Sequence, residues 1–529
     1  MSGTLSSGSV KTRLQRIAEL ARERPEMAFT SLSHVIDNYF LEEAYGRTRK
    51  DGAAGVDGQT ADEYRANLRE NLQSLLDRFK AGTYQAPPVR RVHIPKEGGK
   101  TRPIGIPTFE DKVLQRAVAM VLEAIYEQEF RDSSWGFRPG RSAHQALEVL
   151  RARMMEMHGG WVVEMDIQSF YDALDPSHLR SFLDQRVRDG VLRRTIDKWL
   201  KAGVFEEGSV SHPELGTPQG GVVSPILANI YLHHVLDVWF EDIVKPVMKG
   251  QAYLVRYADD AVIVFALESD ALRVMDVLPK RLGKYGLTLH PEKTRLIRFL
   301  MPPLHDGSKG PKESDERGAF DFLGFTHHWC RTRRGGWAVR RKTAKGRITR
   351  ALKRITEWCR RTRHLPVAEQ REALERKLKG HYQYYGLTWN GRMLEVFRYE
   401  VMLIWWKWLN RRSQRRNMAW EIFAKLLKRY PLPRPRITRL VTVRSETVTR
   451  RAGCVMWRSR LCGQEGWSFA GHGLEIGSSP HKISRPGLGY SDVRKAMRSL
   501  SLRQTGVWSE PAMAHVSSAL AFISRSTSA

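Results

Sequence analysis

Hydrophobic positions recur along the chain with two different periods, and the changes between them mark its elements. From about Lys11 to Phe79, residues such as Leu14, Ile17, Leu20 and Ala21 fall at helical spacing. Helices are expected there, broken at Asp51-Gly52 and Asp57-Gly58, both turn signals. From Val89 to Ile106 the text V-R-R-V-H-I-P-K-E-G-G-K-T-R-P-I-G-I predicts a strand, a turn at Gly98-Gly99 and a second strand, a β-hairpin studded with cations. Helical text follows from Glu110 to Phe130, then a turn, G-F-R-P-G-R-S at Gly136 to Ser142, and another helix. Core strands are expected at Trp161 to Ile167 and at the pair Ala252 to Tyr257 and Ala261 to Ala266, joined tightly through Ala258-Asp259-Asp260. Between them lies helix-rich text with G-T-P-Q-G-G-V-V-S-P at Gly216 to Pro225. Strands and helices alternate irregularly, and neither G-x-G-x-x-G nor G-x-x-x-x-G-K-[ST] stands at a strand end. The pattern predicts an α+β fold rather than a doubly wound one. Gly346 to Tyr430 reads as helical, basic and tryptophan-rich, ending at the breaker P-L-P-R-P-R. After about Val441 the periodicity fades into Ser, Gly and Arg, and no fold is assigned to that tail.

Composition sharpens this outline. A length of 529 residues suggests two to four domains, and 41% hydrophobic residues exclude a wholly disordered chain. The sequence holds no apolar run of membrane-spanning length, and no signal-peptide core follows the polar first ten residues, so a soluble, non-secreted, cytoplasmic protein with no membrane partner is expected. The four cysteines, Cys330, Cys359, Cys454 and Cys462, lack C-x-x-C spacing, so neither a disulfide framework nor a zinc ribbon is indicated. The net charge of +30 is unevenly placed: residues 331–440 carry 31 Lys and Arg against seven Asp and Glu, a net of +24. Residues 1–330 are close to neutral, with 44 against 45. Trp329, Trp337, Trp358, Trp389, Trp405, Trp406 and Trp408 lie within or at the edge of the basic block. Cations interleaved with aromatics suit a phosphate backbone with stackable bases, and a surplus this large repels itself without a polyanion.

The chemistry concentrates at Y-A-D-D, Tyr257 to Asp260. Two adjacent carboxylates at a tight turn between apolar strands are costly unless a cation neutralises them. A third, Asp166 in E-M-D-I-Q-S-F-Y-D, ends the other strongly apolar strand. Two such strands side by side would form a two-metal site, with ions roughly 3.5–4 Å apart, for in-line phosphoryl displacement. Hard oxygen donors point to Mg²⁺, two ions, or to Mn²⁺.

Seven segments in order carry a resemblance: I-P-K-E-G-G-K-T-R-P-I-G-I-P (Ile94 to Pro107), G-F-R-P-G-R-S, M-D-I-Q-S-F-Y-D, G-T-P-Q-G-G-V-V-S-P-I-L-A-N-I-Y-L (Gly216 to Leu232), R-Y-A-D-D, L-H-P-E-K-T (Leu289 to Thr294) and F-L-G-F (Phe322 to Phe325). From about residue 35 to 435 the chain resembles reverse transcriptases, and among them the bacterial group II intron-encoded proteins. The resemblance implies a right-hand polymerase: an N-terminal helical extension (1–88), fingers and palm (89–330), and a basic helical thumb that doubles as maturase domain (331–440), where K-G-H-Y-Q-Y-Y-G at Lys379 to Gly386 looks like that domain's signature. Residues 441–529 form a tail outside this scheme. The implied partners are group II intron RNA, an RNA template with a DNA primer, deoxynucleoside triphosphates and a DNA target.

The resemblance also implies roles. Asp166 and Asp259 would hold both ions, the carbonyl of Ile167 would complete one, and Asp260 would sit nearer the primer end. Lys96 and Arg102, on opposite arms of the cationic hairpin, could clamp the incoming triphosphate, Arg as a planar fork and Lys as a point charge; Lys96 reads equally well as a solvated side chain. An aromatic after Asp166 excludes a ribose 2′-hydroxyl, with Tyr171 as gate and Phe170 packed behind it, although either suits plain core. Gln219 suits contact with template or primer, and Lys293 the pyrophosphate leaving group. Asp172 and Asp175 read as surface or capping residues. Arg411, Arg412, Arg415 and Arg416 would share one face of a continuing helix behind Trp405, Trp406 and Trp408 and bind RNA. Cys454 and Cys462 have no second pair, so the metal-bound endonuclease domain common in the family is expected to be missing. Two alternatives remain: a domesticated reverse transcriptase in phage defence or CRISPR adaptation, or an RNA-binding maturase without catalysis.

Overall fold

The computed structural model describes residues 3–95, 101–206, 209–211, 220–302, 318–333, 335–413 and 418–438. The chain divides into two units, Met1–Arg444 and Ser445–Ala529. The second, with Cys454 and Cys462 and nearly all of the tail, lies outside the described residues.

Among its described residues the first unit contains three sheets. Strands β1 (Val89–Pro95) and β2 (Thr101–Ile106) form the expected hairpin, with Pro95 opposite Thr101; β3 (Gly159–Met165) belongs to the central sheet, and β4 (Val204–Glu206) and β5 (Ser209–Ser211) extend the hairpin in the order β2-β1-β4-β5. The central sheet has the order β6-β7-β3-β8, from β6 (Ala252–Tyr257), β7 (Asp260–Phe265) and β8 (Arg295–Leu300), and is antiparallel throughout. The third sheet joins β9 (Phe320–Phe322), β10 (Phe325–Arg331) and β11 (Trp337–Thr343). This mixture of helices and largely antiparallel sheets is the expected α+β class. Residues 330 and 331, where the charge balance changes, lie inside that third sheet.

The central sheet is buried on both faces, which explains its nearly continuous apolar text. Along β7, Ala261, Ile263 and Phe265 join one core with the N-terminal helices, whereas Val262 and Val264 join a second with Leu147, Leu150, Phe299, Phe325 and Trp329. The long helix Phe109–Tyr126 lies in the first core, and Thr108 caps its start by accepting the Asp111 amide. Helices Lys345–Thr362, Val367–Tyr385, Gly391–Leu409 and Trp420–Arg429 form the C-terminal region, as the periodicity predicts, around Leu378, Phe397, Val401 and Trp405. Tryptophans expected to present stacking faces mostly serve packing instead. Trp405 is fully buried with its Nε1–H on Gln370, Trp329 stacks on Phe299, and Trp406 donates to the Met418 carbonyl. Among the described residues, no helix is long and apolar enough to cross a membrane.

Candidate active site

The sheet register brings the carboxylates together. Met165 pairs with Ala261, so Asp166, one residue past β3, emerges beside Asp260, the first residue of β7. Tyr257 pairs with Asp260 across a two-residue turn, Ala258-Asp259, in which Ala258 adopts the left-handed region at φ 58°. Beyond β3 the chain is tied to 288–290: the Gln168 amide donates to the Thr288 carbonyl and the His290 amide to the Asp166 carbonyl, on either side of Ile167. That pairing carries Lys293 to the site, where its Nζ lies 2.7 Å from Asp166 Oδ2. Asp175 caps helix Pro176–Arg186 by accepting the Ser177 amide, the capping role read from the sequence.

Asp260 is reached by water at the mouth of a groove, yet protein crowds it. That crowding comes first, and the charges of Asp259 and Asp166 come next, in pushing its carboxyl up to about 6; Arg347 and Lys293 oppose the shift. The groove, about 440 Å³, is lined by Asp166, Asp260, Lys293, Leu323, Arg347 and Arg350. As they stand, no three described His, Cys, Asp or Glu side chains converge into a ligand set. The donor chemistry nonetheless suits a hard divalent cation: three carboxylates share one end of a sheet, crowding and mutual repulsion raise the cost of charge on Asp260, and an ammonium is already drawn to Asp166.

Phe170 and Tyr171 are both buried and meet edge to face at 5.3 Å. Burial and then the Asp259 charge push the Tyr171 hydroxyl up to about 12, while Arg102 and Arg256 pull it down, so this ring lies among the groups expected to handle the nucleotide. Arg102 stands on β2 opposite Ile94. Gly220, at φ 120°, packs against β2 so closely that a Cβ would meet the Gly105 carbonyl oxygen at 2.3 Å; the loop before helix Ser224–Leu232 therefore abuts the hairpin. Lys96 and Gln219 lie outside the described residues, as do Arg415 and Arg416.

The helix expected to continue through the four arginines ends at Leu409. Asn410 stops it: its Nδ2 donates to the Trp406 carbonyl while its Oδ1 accepts the Met418 amide, turning the chain back. Arg412 is not set out toward solvent beside Arg411. It donates to the carbonyls of Arg363 and Leu365 and ties two helices together, and Arg411 lies over the Trp408 ring at 5.2 Å. The sequence reading missed Arg347 and Arg350, whose helical spacing was visible, and it missed the buried Arg256, whose signal was a lone charge in an apolar strand.

A hairpin of paired carboxylates thus stands at the end of an antiparallel sheet, beside a cation-lined groove. The family described as Reverse transcriptase (RNA-dependent DNA polymerase) matches residues 94–327. Group II intron-encoded protein LtrA of Lactococcus lactis subsp. cremoris is 39% identical over 228 residues, 42% of this chain and 37% of LtrA. Protein YkfC of Escherichia coli (strain K12) is 33% identical over 291 residues, 48% of this chain and 73% of YkfC. Nuclear intron maturase 2, mitochondrial, of Arabidopsis thaliana is 28% identical over 179 residues, 26% of this chain and 24% of the maturase. The chain belongs to the group II intron reverse transcriptase/maturase family. It matches little more than a third of LtrA's own length.

Proposed function

We propose that this protein is an RNA-directed DNA polymerase of the group II intron type, which copies RNA into DNA and assists the splicing and mobility of its intron RNA. The observation that carries the reading is the gathering of Asp166, Asp259 and Asp260 at one end of the central sheet, beside a groove bordered by Lys293, Arg347 and Arg350. In this reading residues 89–330 are fingers and palm, and 331–440 are thumb and maturase domain. The partners are intron RNA, an RNA template with a DNA primer, deoxynucleoside triphosphates and a DNA target.

Asp166, Asp259 and Asp260, with the Ile167 carbonyl, would hold two Mg²⁺ ions, or Mn²⁺, which supply neutralisation of the transferring phosphoryl group and of both oxygens of the displacement. Lys293 leaves Asp166 for the leaving pyrophosphate, where its ammonium stabilises developing charge. Arg102, with Lys96, grips the triphosphate, and the Tyr171 wall, backed by Phe170, excludes a ribose 2′-hydroxyl. Gln219 touches template or primer. Arg347, Arg350 and Arg354 follow one face of helix Lys345–Thr362 away from the groove and take nucleic-acid phosphates, with Arg411 beside Trp408 as a further contact. The test is extension of a DNA primer on an RNA template with Mg²⁺, together with sequencing of RNA crosslinked to the protein in cells. Templated DNA product and recovery of an intron RNA are expected. Absence of extension under these conditions overturns the polymerase reading, and recovery of unrelated RNAs overturns the intron assignment.

A further inference from the structure

Arg256 is the penultimate residue of β6, with Tyr257 between it and the carboxylate turn, and its side chain is wholly buried. Its Nε lies 2.7 Å and its Nη2 2.5 Å from the two oxygens of Asp237, itself fully buried on the π-helical stretch His233–Asp237. Nη2 also reaches Ser134 Oγ at 2.7 Å. Nη1 serves two acceptors, Asn229 Oδ1 at 3.1 Å and the carbonyl oxygen of Ala258 at 3.0 Å. All five donors of the guanidinium are thus engaged, and its plane is fixed. The main chain repeats the pattern: the Arg256 amide donates to the Ser133 carbonyl, and the Trp135 amide donates to the Arg256 carbonyl. Asn229 Nδ2 holds the Gly136 carbonyl at 2.8 Å, and Gly136 presses on the turn so closely that a Cβ would meet the Ala258 nitrogen at 2.3 Å.

A buried ion pair is a poor source of stability, since apolar residues of the same volume often do as well. What this pair has instead is a target, the carbonyl of a non-glycine residue whose left-handed backbone is disfavoured without external support.

We propose that Arg256 is a positioning residue: locked by Asp237, Asn229 and Ser134, it grips the Ala258 carbonyl and fixes the turn from which Asp259 and Asp260 project. This deepens the polymerase reading and rests on it. The Gly136–Ser142 motif, which the sequence shows only as a turn, gains a purpose here, because Gly136 with Ser133 and Ser134 forms the wall behind the turn.

Arg256→Lys keeps a cation for Asp237, but a single ammonium cannot span Asp237 and the Ala258 carbonyl together. Mn²⁺ binding to the whole protein, read by electron paramagnetic resonance, is expected to weaken about tenfold or more in this variant. Its kcat should fall while KM for the nucleotide stays within about threefold, because the nucleotide's own contacts are intact. Arg186→Lys is the matched control. Arg186 is also buried and holds the carbonyls of Ala21, Arg24 and Met27 in the N-terminal region, so its loss should lower the melting temperature and leave Mn²⁺ binding as in the parent. The proposal is overturned if Arg256→Lys binds Mn²⁺ like the parent, or if Arg186→Lys weakens binding equally. Should Arg256→Lys not fold, Asn229→Ala, which removes the acceptor that aims the same Nη1, carries the test with the same expected direction. A parent protein that neither binds Mn²⁺ nor extends a primer overturns the functional reading itself, whereas an active parent with an indifferent Arg256→Lys overturns only the positioning role.

Discussion

Replacing Arg347, Arg350 and Arg354 together by Gln should remove a defined part of the electrostatic grip on nucleic acid. At about 100° per residue these positions fall within roughly 60° of one another on helix Lys345–Thr362. Arg347 and Arg350 line the groove at the carboxylates, and Arg347 acts on the charge of Asp260. The stripe rises about 10 Å from first to last residue, which matches about three successive charges of one nucleic-acid strand. Each lost phosphate contact removes about 0.7 to 0.9 from the slope of log K against log salt, so the triple variant should lose about two to three units. Between about 50 and 200 mM salt, the parent should then lose some 20- to 40-fold more affinity than the variant. Filter binding of a primer–template across that range reads the slope directly. Arg360 and Arg361, paired with Glu357 at 2.8 Å, serve as the comparison, and their change to Gln should flatten the slope less. Exposed substitutions of this kind leave stability within about 0.5 kcal/mol, so a melting curve separates lost contacts from lost fold. An unchanged slope in the triple variant, with the fold intact, would refute the assignment of this face.

Arg412→Ala should act in the opposite manner, lowering stability by about 1 kcal/mol because the carbonyls of Arg363 and Leu365 lose one of two donors and keep only Gln370 Nε2, with little change in salt slope; thermal melting and limited proteolysis check it. Tyr171→Ala should admit ribonucleotides in single-nucleotide incorporation assays, and discrimination that survives there but collapses in Phe170→Ala would move the gate one residue earlier. Asp260 should give stability and activity opposite pH trends. Its folded carboxyl is raised to about 6, above its unfolded value, so the cost of its charge is present above that pH and relieved as pH falls through it. Cation-dependent extension should therefore decline as pH drops through about 6 while resistance to unfolding improves, and Asp260→Asn should remove that local gain in a melting series.

Much of this could be read from sequence because several elements obey simple periodicities. The hairpin Val89 to Ile106 and the strands flanking Tyr257 to Asp260 alternate or run apolar as their burial demands, and the acidic turn stood out as charge at the end of a core strand. The third sheet did not stand out. In β10 the inward positions are Phe325, His327 and Trp329, and β11 sets Arg341 opposite His327; both the histidine and the arginine are buried, so a hydrophobicity pattern reads the pair as polar surface. Strands β4 and β5 have three residues each, too few to show a period. The helix expected to run on through Arg411 and Arg412 ends at Leu409 for a local reason, the side-chain bonds of Asn410. Tryptophans beside cations suggested base stacking, whereas volume won for Trp405, and Trp389 is the most exposed of that set, with Arg151 and Arg340 over its ring at 4.9 and 5.9 Å.

The central claim is that three aspartates on two paired strands perform templated phosphoryl transfer while affinity for RNA resides elsewhere. Asp259→Asn changes the site by one charge and almost no volume. Measured side by side with the parent, it should lose DNA synthesis on an RNA template by about a hundredfold or more, while RNA affinity stays within about twofold. Robust cDNA synthesis by Asp259→Asn would contradict the assignment, and a parallel collapse of RNA binding would contradict the separation of grip from chemistry.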